Sequence, residues 1–280
     1  NTFGKRAVCY IWDGQTSALL GGPYQLDQCS AGVPLQGAAA VTTCGGQANI
    51  ADFNGDGTLE IGLAGEYYYL VMDYDAPTHT ISELWSRTCT DGSQRTGSSV
   101  FDFEGDGANE VVYRDEDSLY VYNGADGTEK ASVHCISGTR TEYPVVADVT
   151  GNGETNICVT CGVGISLFGA VTTPWVTARR VWNQHNYFVV NVNDDLSIPR
   201  EQQNHAAGFP QGAPVNFPLN RFLTQITRLG TDGLPIYAAQ DIAIDSISVD
   251  SANCVITGTL SVTLRLKNLG DHTYPSGSPL

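Results

Sequence analysis

An all-β fold is what this sequence predicts, and three observations carry it. Thirty-one glycines and 13 tyrosines stand against a single methionine, with aromatic and β-branched residues gathered in short runs between glycine-rich turns. An acidic loop recurs three times at nearly constant spacing. The apolar runs are interrupted too often to leave room for long helices. At 280 residues the chain can bury a core, as one large β-domain or two of ordinary size.

The elements follow in order along the chain. Residues 7–16 read as a strand, a tight glycine turn and another strand, and they match 119–128. This predicts a start inside a blade, whose remaining strands come from upstream blades or another molecule, because a lone half-blade leaves an open edge. The acidic loops are Asp-Phe-Asn-Gly-Asp-Gly at 52–57, Asp-Phe-Glu-Gly-Asp-Gly at 102–107 and Asp-Val-Thr-Gly-Asn-Gly at 148–153. Their spacing of 50 and then 46 residues is the period of a propeller blade or similar array. Each loop lies between apolar runs, 48–51 and 59–63, 98–101 and 109–113, 144–147 and 156–160, so each connects strand to strand. Further runs at 67–72, 118–122 and 164–168 add a strand to each repeat.

Beyond residue 172 the period breaks. Residues 174–187 and 217–226 are expected to form short helices, 191–199 is turn-rich, and 202–220 reads as an ordered loop or linker. Residues 241–249 and 258–268 alternate as strands. The predicted organisation is therefore blades over 1–172, an irregular connector packed on them over 173–240, and the start of a sandwich-like β-domain over 241–280.

The loops carry the chemistry. Relative positions 1, 3, 5 and 9 bear side-chain oxygens: Asp52, Asn54, Asp56 and Glu60 in the first, Asp102, Glu104, Asp106 and Glu110 in the second. Glycines at positions 4 and 6 let the chain curl so that these side chains converge. The carbonyl at position 7, from Thr58 or Ala108, adds a ligand. Six or more hard oxygens on a flexible loop suit Ca²⁺ better than Mg²⁺, which demands a tighter octahedron. The third loop offers Asp148, Thr150, Asn152 and Asn156, of which only the first is charged. An EF-hand shares the opening motif but needs flanking helices and a Glu at its twelfth position, and neither is present. The three loops hold nine of the 30 acidic residues, a density that costs stability unless a cation offsets it.

These loops, each heading a repeat of blade length, resemble the FG-GAP or VCBS repeats of integrin-α-type β-propellers over roughly residues 1–175. The resemblance implies that each loop connects two strands of a blade and binds Ca²⁺ through Asp52, Asn54, Asp56, Thr58 and Glu60, and through Asp102, Glu104, Asp106, Ala108 and Glu110. For Asp148, Thr150, Asn152 and Glu154 the match is partial. Trp-Asn-Gln-His-Asn-Tyr at 182–187 and Asn-Val-Asn-Asp-Asp at 191–195 resemble segments that follow such repeats in large bacterial surface proteins. Residues 241–270 resemble the opening of a CARDB-type immunoglobulin-like domain. Two or three strands of that sandwich are present where about seven are usual, so a longer chain or a neighbouring subunit is expected to supply the rest.

Charge and cysteine usage bound the function. A net charge of −16 with 14 basic residues argues against nucleic acid and anionic membrane surfaces as partners. No stretch approaches the roughly 20 apolar residues of a membrane span, so no membrane insertion is expected. Starting at Asn1 with no signal-peptide pattern, the chain reads as a mature or trimmed product. Eight cysteines, with Cys158 and Cys161 as the one close pair, favour disulfides in an oxidising compartment, connectivity left open. Cys89 and Cys135 each precede a loop aspartate by 13 residues and so occupy equivalent places.

The expected role is a secreted or cell-surface, calcium-stabilised structural or adhesive protein, whose partners are copies of itself, other surface proteins or a polysaccharide. A lectin-like module stacking sugars on Tyr67, Tyr68, Tyr69 or Trp85 is one alternative, with Trp182, His185 and Tyr187 a further candidate surface expected rather to pack on the last blade. A calcium-dependent polysaccharide lyase is the enzymatic alternative, without HExxH, G-x-S-x-G or P-loop motifs in the sequence. Asn193, Asp194 and Asp195 form either a cation site or a capped turn.

Overall fold

Short apolar runs and tight turns fold the chain into successive antiparallel meanders. The computed structural model describes residues 8–26, 45–93, 95–138, 140–162, 164–201, 208–209, 217–218, 221–228, 242–250 and 260–268. A hairpin of β1 (Val8–Trp12) and β2 (Leu19–Gln25) comes first. Two four-stranded sheets follow, each pairing its strands in sequence order. The first holds β3 (Asn49–Ala51), β4 (Glu60–Gly65), β5 (Tyr68–Asp75) and β6 (Thr80–Thr88); the second holds β7 (Ser98–Phe101), β8 (Glu110–Arg114), β9 (Ser118–Tyr122) and β10 (Glu129–His134). A third sheet has β11 (Val145–Ala147), β12 (Asn156–Cys161) and β13 (Gly164–Gly169). Two further pairs are β14 (Gly208–Phe209) with β15 (Phe217–Pro218), and β16 (Ile242–Asp250) with β17 (Ser261–Asn268). The fold is all-β, and among the described residues every sheet is open.

The first and second meanders pack both faces against their sequence neighbours, which explains why β5 is buried along Tyr68–Met72 rather than on alternate residues. Tyr68, Leu70 and Met72 pack with Leu26 and Leu63, between the hairpin and the first meander. Tyr69 and Val71 point the other way, onto Phe53, Val100, Val111 and Tyr113 of the gap between the first and second meanders. Phe101, Phe103, Val112, Val146 and Ile157 fill the next gap. The second residue of the first two loops therefore belongs to the core: Phe53 and Phe103 are both buried, each worth roughly 1.5–3 kcal/mol of transfer free energy. In the third loop Val149 stands there and is 47% exposed.

The first strands β3 and β7 lie beside one another, as do β7 and β11. One segment, residues 221–228, laces them together. Phe222 exchanges backbone hydrogen bonds with Ile50 of β3, Gln225 N donates to the Val100 carbonyl of β7, and the Gln225 side-chain amide donates to the Val146 carbonyl of β11. Thr227 bridges Ala178. Neither expected helix is present among the described residues: 176–179 runs extended, with Val176 N donating to the Phe103 carbonyl, and 221–228 is extended across the strands. Tertiary pairing overrides local propensity here, because these segments supply backbone partners that β3 and β7 otherwise lack.

Trp182 stacks on Tyr187 at 4.4 Å, and His185 lies edge-on to Tyr143 at 4.9 Å. Tyr187 is buried with Leu223, Val181 and Val192. The chain at 193–197 is a turn: Asp195 accepts from Ser197 N, and Asp194 pairs with Arg179 at 2.6 Å. Residues 202–207, 210–216, 219–220 and 229–241 of the predicted linker region lie outside the described residues.

Candidate metal centre

The acidic loops form the connection between the first and second strands of each meander. Their conformation follows from glycine at positions 4 and 6: Gly55 and Gly57 have φ of +76° and +89°, and the equivalent pairs Gly105 and Gly107, Gly151 and Gly153 are also left-handed. That curl points two backbone N–H groups at the first aspartate. Asp52 accepts from Gly55 N at 2.7 Å and Gly57 N at 2.9 Å; Asp102 accepts from Gly105 N at 2.6 Å and Gly107 N at 2.8 Å. Asp148 does the same with Gly151 N and Gly153 N. The glutamate at position 9 reaches back, Glu60 accepting from Phe53 N at 2.7 Å and Glu110 from Phe103 N at 3.0 Å.

In loop one, carboxylate oxygens of Asp52, Asp56 and Glu60 lie within 4.8 Å of one another. Asn54 exchanges hydrogen bonds with Asp56, and the Thr58 hydroxyl donates to Asp56 and Glu60. In loop two the converging carboxylates are Asp102, Glu104 and Glu110. Asp106 accepts from the Ala108 N–H at 3.0 Å, as Asp56 does from the Thr58 N–H at 2.8 Å, and is not one of the three that converge. Loop three gathers no such cluster among the described residues: Thr150, Asn152 and Glu154 hydrogen-bond in a chain along the loop, and Asn156 begins β12.

Burial makes these carboxylates hard to ionise. It pushes Glu60 up to about 7, Glu110 up to about 8 and Asp102 up to about 6, and it raises Asp52 as well, whereas hydrogen bonds from Thr58 lower Asp56. Carboxylates so crowded with like charge, two of three buried in each cluster, are suited to a hard cation, so loops one and two each have a donor set that could hold a metal ion.

Three basic side chains from distant parts of the chain attend the loops, and nothing in the loop motif announces them. Lys130 of β10 sits 2.7 Å from Glu104 and 3.0 Å from Glu110. Arg180 pairs with Asp148 at 2.9 Å and donates to the Gly151 carbonyl. Arg221, buried, interacts electrostatically with both Asp52 and Asp102. The one available signal is that loop three keeps a single aspartate at its ligand positions, which one monovalent cation can balance.

Of the proposed sugar-stacking residues, Tyr68, Tyr69 and Trp85 are buried in the gaps between sheets. Tyr67 is exposed at a turn with positive φ. The sugar-stacking expectation is thus corrected for three of the four residues, whose rings are covered, Tyr69 by Trp85 of its own sheet and by Tyr113 of the next.

One disulfide joins Cys135, just past β10, to Cys161 at the end of β12. Cys9, Cys89 and Cys158 are free thiols, so the close pair Cys158 and Cys161 is not a bridge, and Cys29, Cys44 and Cys254 lie outside the described residues. By register, Asp115 occupies after β8 the place that Cys161 occupies in β12, so Cys89 lacks the partner that its counterpart Cys135 has.

No family model and no curated protein matches the sequence. A solved structure does. The crystal structure of the V. cholerae biofilm matrix protein Bap1 matches at a TM-score of 0.50 and 25% identity over 64% of this chain. The match covers 28% of Bap1, so this chain spans little more than a quarter of that protein's length.

Proposed function

We propose that the three meanders are consecutive blades of a β-propeller of the FG-GAP type, that loops one and two hold calcium, and that the protein works outside the cell as a structural or adhesive component. The observation that carries this reading is the recurrence of a three-carboxylate cluster, two members buried and one exposed, at the same strand connection in two consecutive meanders. The adjacent first strands support the propeller, since blades that fan about one axis bring those strands together. Likeness to a biofilm matrix protein supports the extracellular role, as does a disulfide. No helix among the described residues is long and apolar enough to cross a membrane. Copies of the same protein, other surface proteins or a matrix polysaccharide are the partners this role calls for.

Thermal unfolding in excess calcium and in excess chelator tests the metal. The midpoint should rise in calcium, and Asp56→Ala, at an exposed position of loop one, should remove part of that rise while leaving the chelated protein nearly unchanged. Equal midpoints in both conditions would reduce the loops to turns. Beads coated with the protein should cluster or hold a polysaccharide surface only with calcium; turnover of a uronate polysaccharide would replace the adhesive role with the lyase.

A further inference from the structure

Three loops of one conformation differ in the cation that the chain itself brings to them. In loop three, Arg180 places Nε 2.9 Å from Asp148 Oδ2 and donates through Nη2 to the Gly151 carbonyl, so the guanidinium fork sits on both a side chain and the loop backbone. In loop two, Lys130 Nζ lies 2.7 Å from Glu104 Oε1 and 3.0 Å from Glu110 Oε1, two of the three carboxylates that converge there. In loop one, Asp52, Asp56 and Glu60 converge with no basic side chain in direct ion-pair contact among the described residues, and the buried Arg221, which interacts with both Asp52 and Asp102, is common to loops one and two. Two loops thus hold a tethered monovalent cation on their own carboxylates, at Glu104 and Glu110 in loop two and at Asp148 in loop three.

We propose that Lys130 is a built-in competitor for calcium at the second loop, so that the sites fill in order: the first at low calcium, the second only as calcium displaces Lys130, and the third not at all. This rests on the reading that loops one and two bind calcium. The two tethered cations differ in how readily they leave. Lys130 is a point charge on a flexible four-carbon stem, with no planar fork to fix its direction, and can swing into solvent at modest cost. Arg180 is held by a planar fork whose donors are matched to two acceptors. A monovalent ammonium also yields to a divalent cation, which draws on all three carboxylates at once. The second loop then responds to calcium over a higher range than the first, and the gap between the second and third meanders is stiffened only there.

Calorimetric titration of Ca²⁺ into chelator-stripped protein tests the order of filling, with Lys130→Met and, should it fail to fold, Lys130→Gln. The wild type should show two sites of unequal affinity, and the substitution should tighten the weaker one roughly fivefold to tenfold while the tighter one stays put. The variant should also melt lower than wild type in chelator and match it in calcium. Two sites unmoved by the substitution would overturn the competition and leave the calcium reading standing. An equal melting loss with and without calcium would mark Lys130 as a plain structural ion pair and overturn it too. No calcium heat in any protein would remove both readings together.

Discussion

The side-chain amide of Asn109 donates to the backbone carbonyl of Asp52 at 2.6 Å, and its backbone N–H donates to the same oxygen at 3.1 Å. Position 8 of the second loop is thereby clamped onto position 1 of the first, and the two candidate cation seats are mechanically joined. Asn109 also accepts from Arg221.

Asn109→Ala removes the shorter of these bonds and leaves the buried Arg221 short of an acceptor. The expected loss is roughly 1–3 kcal/mol of stability, read by urea unfolding. Calcium affinity of loop one should fall with it, since Asp52 loses its anchor. A variant with unchanged calcium binding would show the two loops to be independent.

Acidity should act on the chelated protein in a defined direction. Burial raises Glu60 to about 7 and Glu110 to about 8, above the ordinary glutamate value, so the folded state binds more protons than the unfolded chain over that interval. Their contribution therefore favours folding at low pH and is lost as pH rises from about 4.5 through 7 to 8. The melting midpoint in chelator should fall between pH 5.5 and 8, less steeply in Glu60→Gln, and the calcium-induced rise should grow over the same range. A chelated midpoint whose pH slope is identical in Glu60→Gln would count against this assignment.

Reducing the Cys135–Cys161 bridge frees a span of 26 residues that contains the third loop's first strand, β11. On the chain-entropy account this costs roughly 3–4 kcal/mol. Cys135→Ser should lower the unfolding midpoint accordingly, and because the bridge lies between the second and third meanders, hydrogen exchange should quicken first in β11 and β12.

Gln225 is buried at the centre of the lacing segment, where its amide donates to the Val146, Arg179 and Val181 carbonyls and its oxygen accepts from Tyr187. Gln225→Ala strands several of these groups at once and should destabilise by roughly 2–4 kcal/mol. Gln225→Glu tests whether the donors matter more than the volume: it should cost at least as much, because a carboxylate faces three carbonyls.

Much of the region of the three meanders was legible in the residues. The strands flanking each loop, the left-handed glycines and the converging Asp52, Asp56, Glu60, Asp102, Glu104 and Glu110 follow from a motif only nine residues long, in which every partner is a near neighbour. Asp106, expected at the equivalent place in loop two, is not among the three carboxylates that converge there, although it accepts from the Ala108 N–H just as Asp56 does from the Thr58 N–H. The helices expected at 174–187 and 217–226 give way to long-range pairing: these stretches carry apolar residues at helix-compatible spacing, but they pair as extended chain with β3, β7 and each other.

The sequence by itself determined the all-β class, the placement of each acidic loop between two strands and the carboxylates that converge in loops one and two, because turns, glycine conformations and alternation are settled among residues a few positions apart. Only the tertiary structure decided that Lys130 and Arg180 reach loops two and three, that Cys135 finds Cys161 rather than leaving it to Cys158, and that Tyr68 and Tyr69 are both covered. Those outcomes depend on how one sheet stacks on the next. Stacking is set by the summed burial of many side chains across the gaps, a quantity that no short stretch of sequence contains.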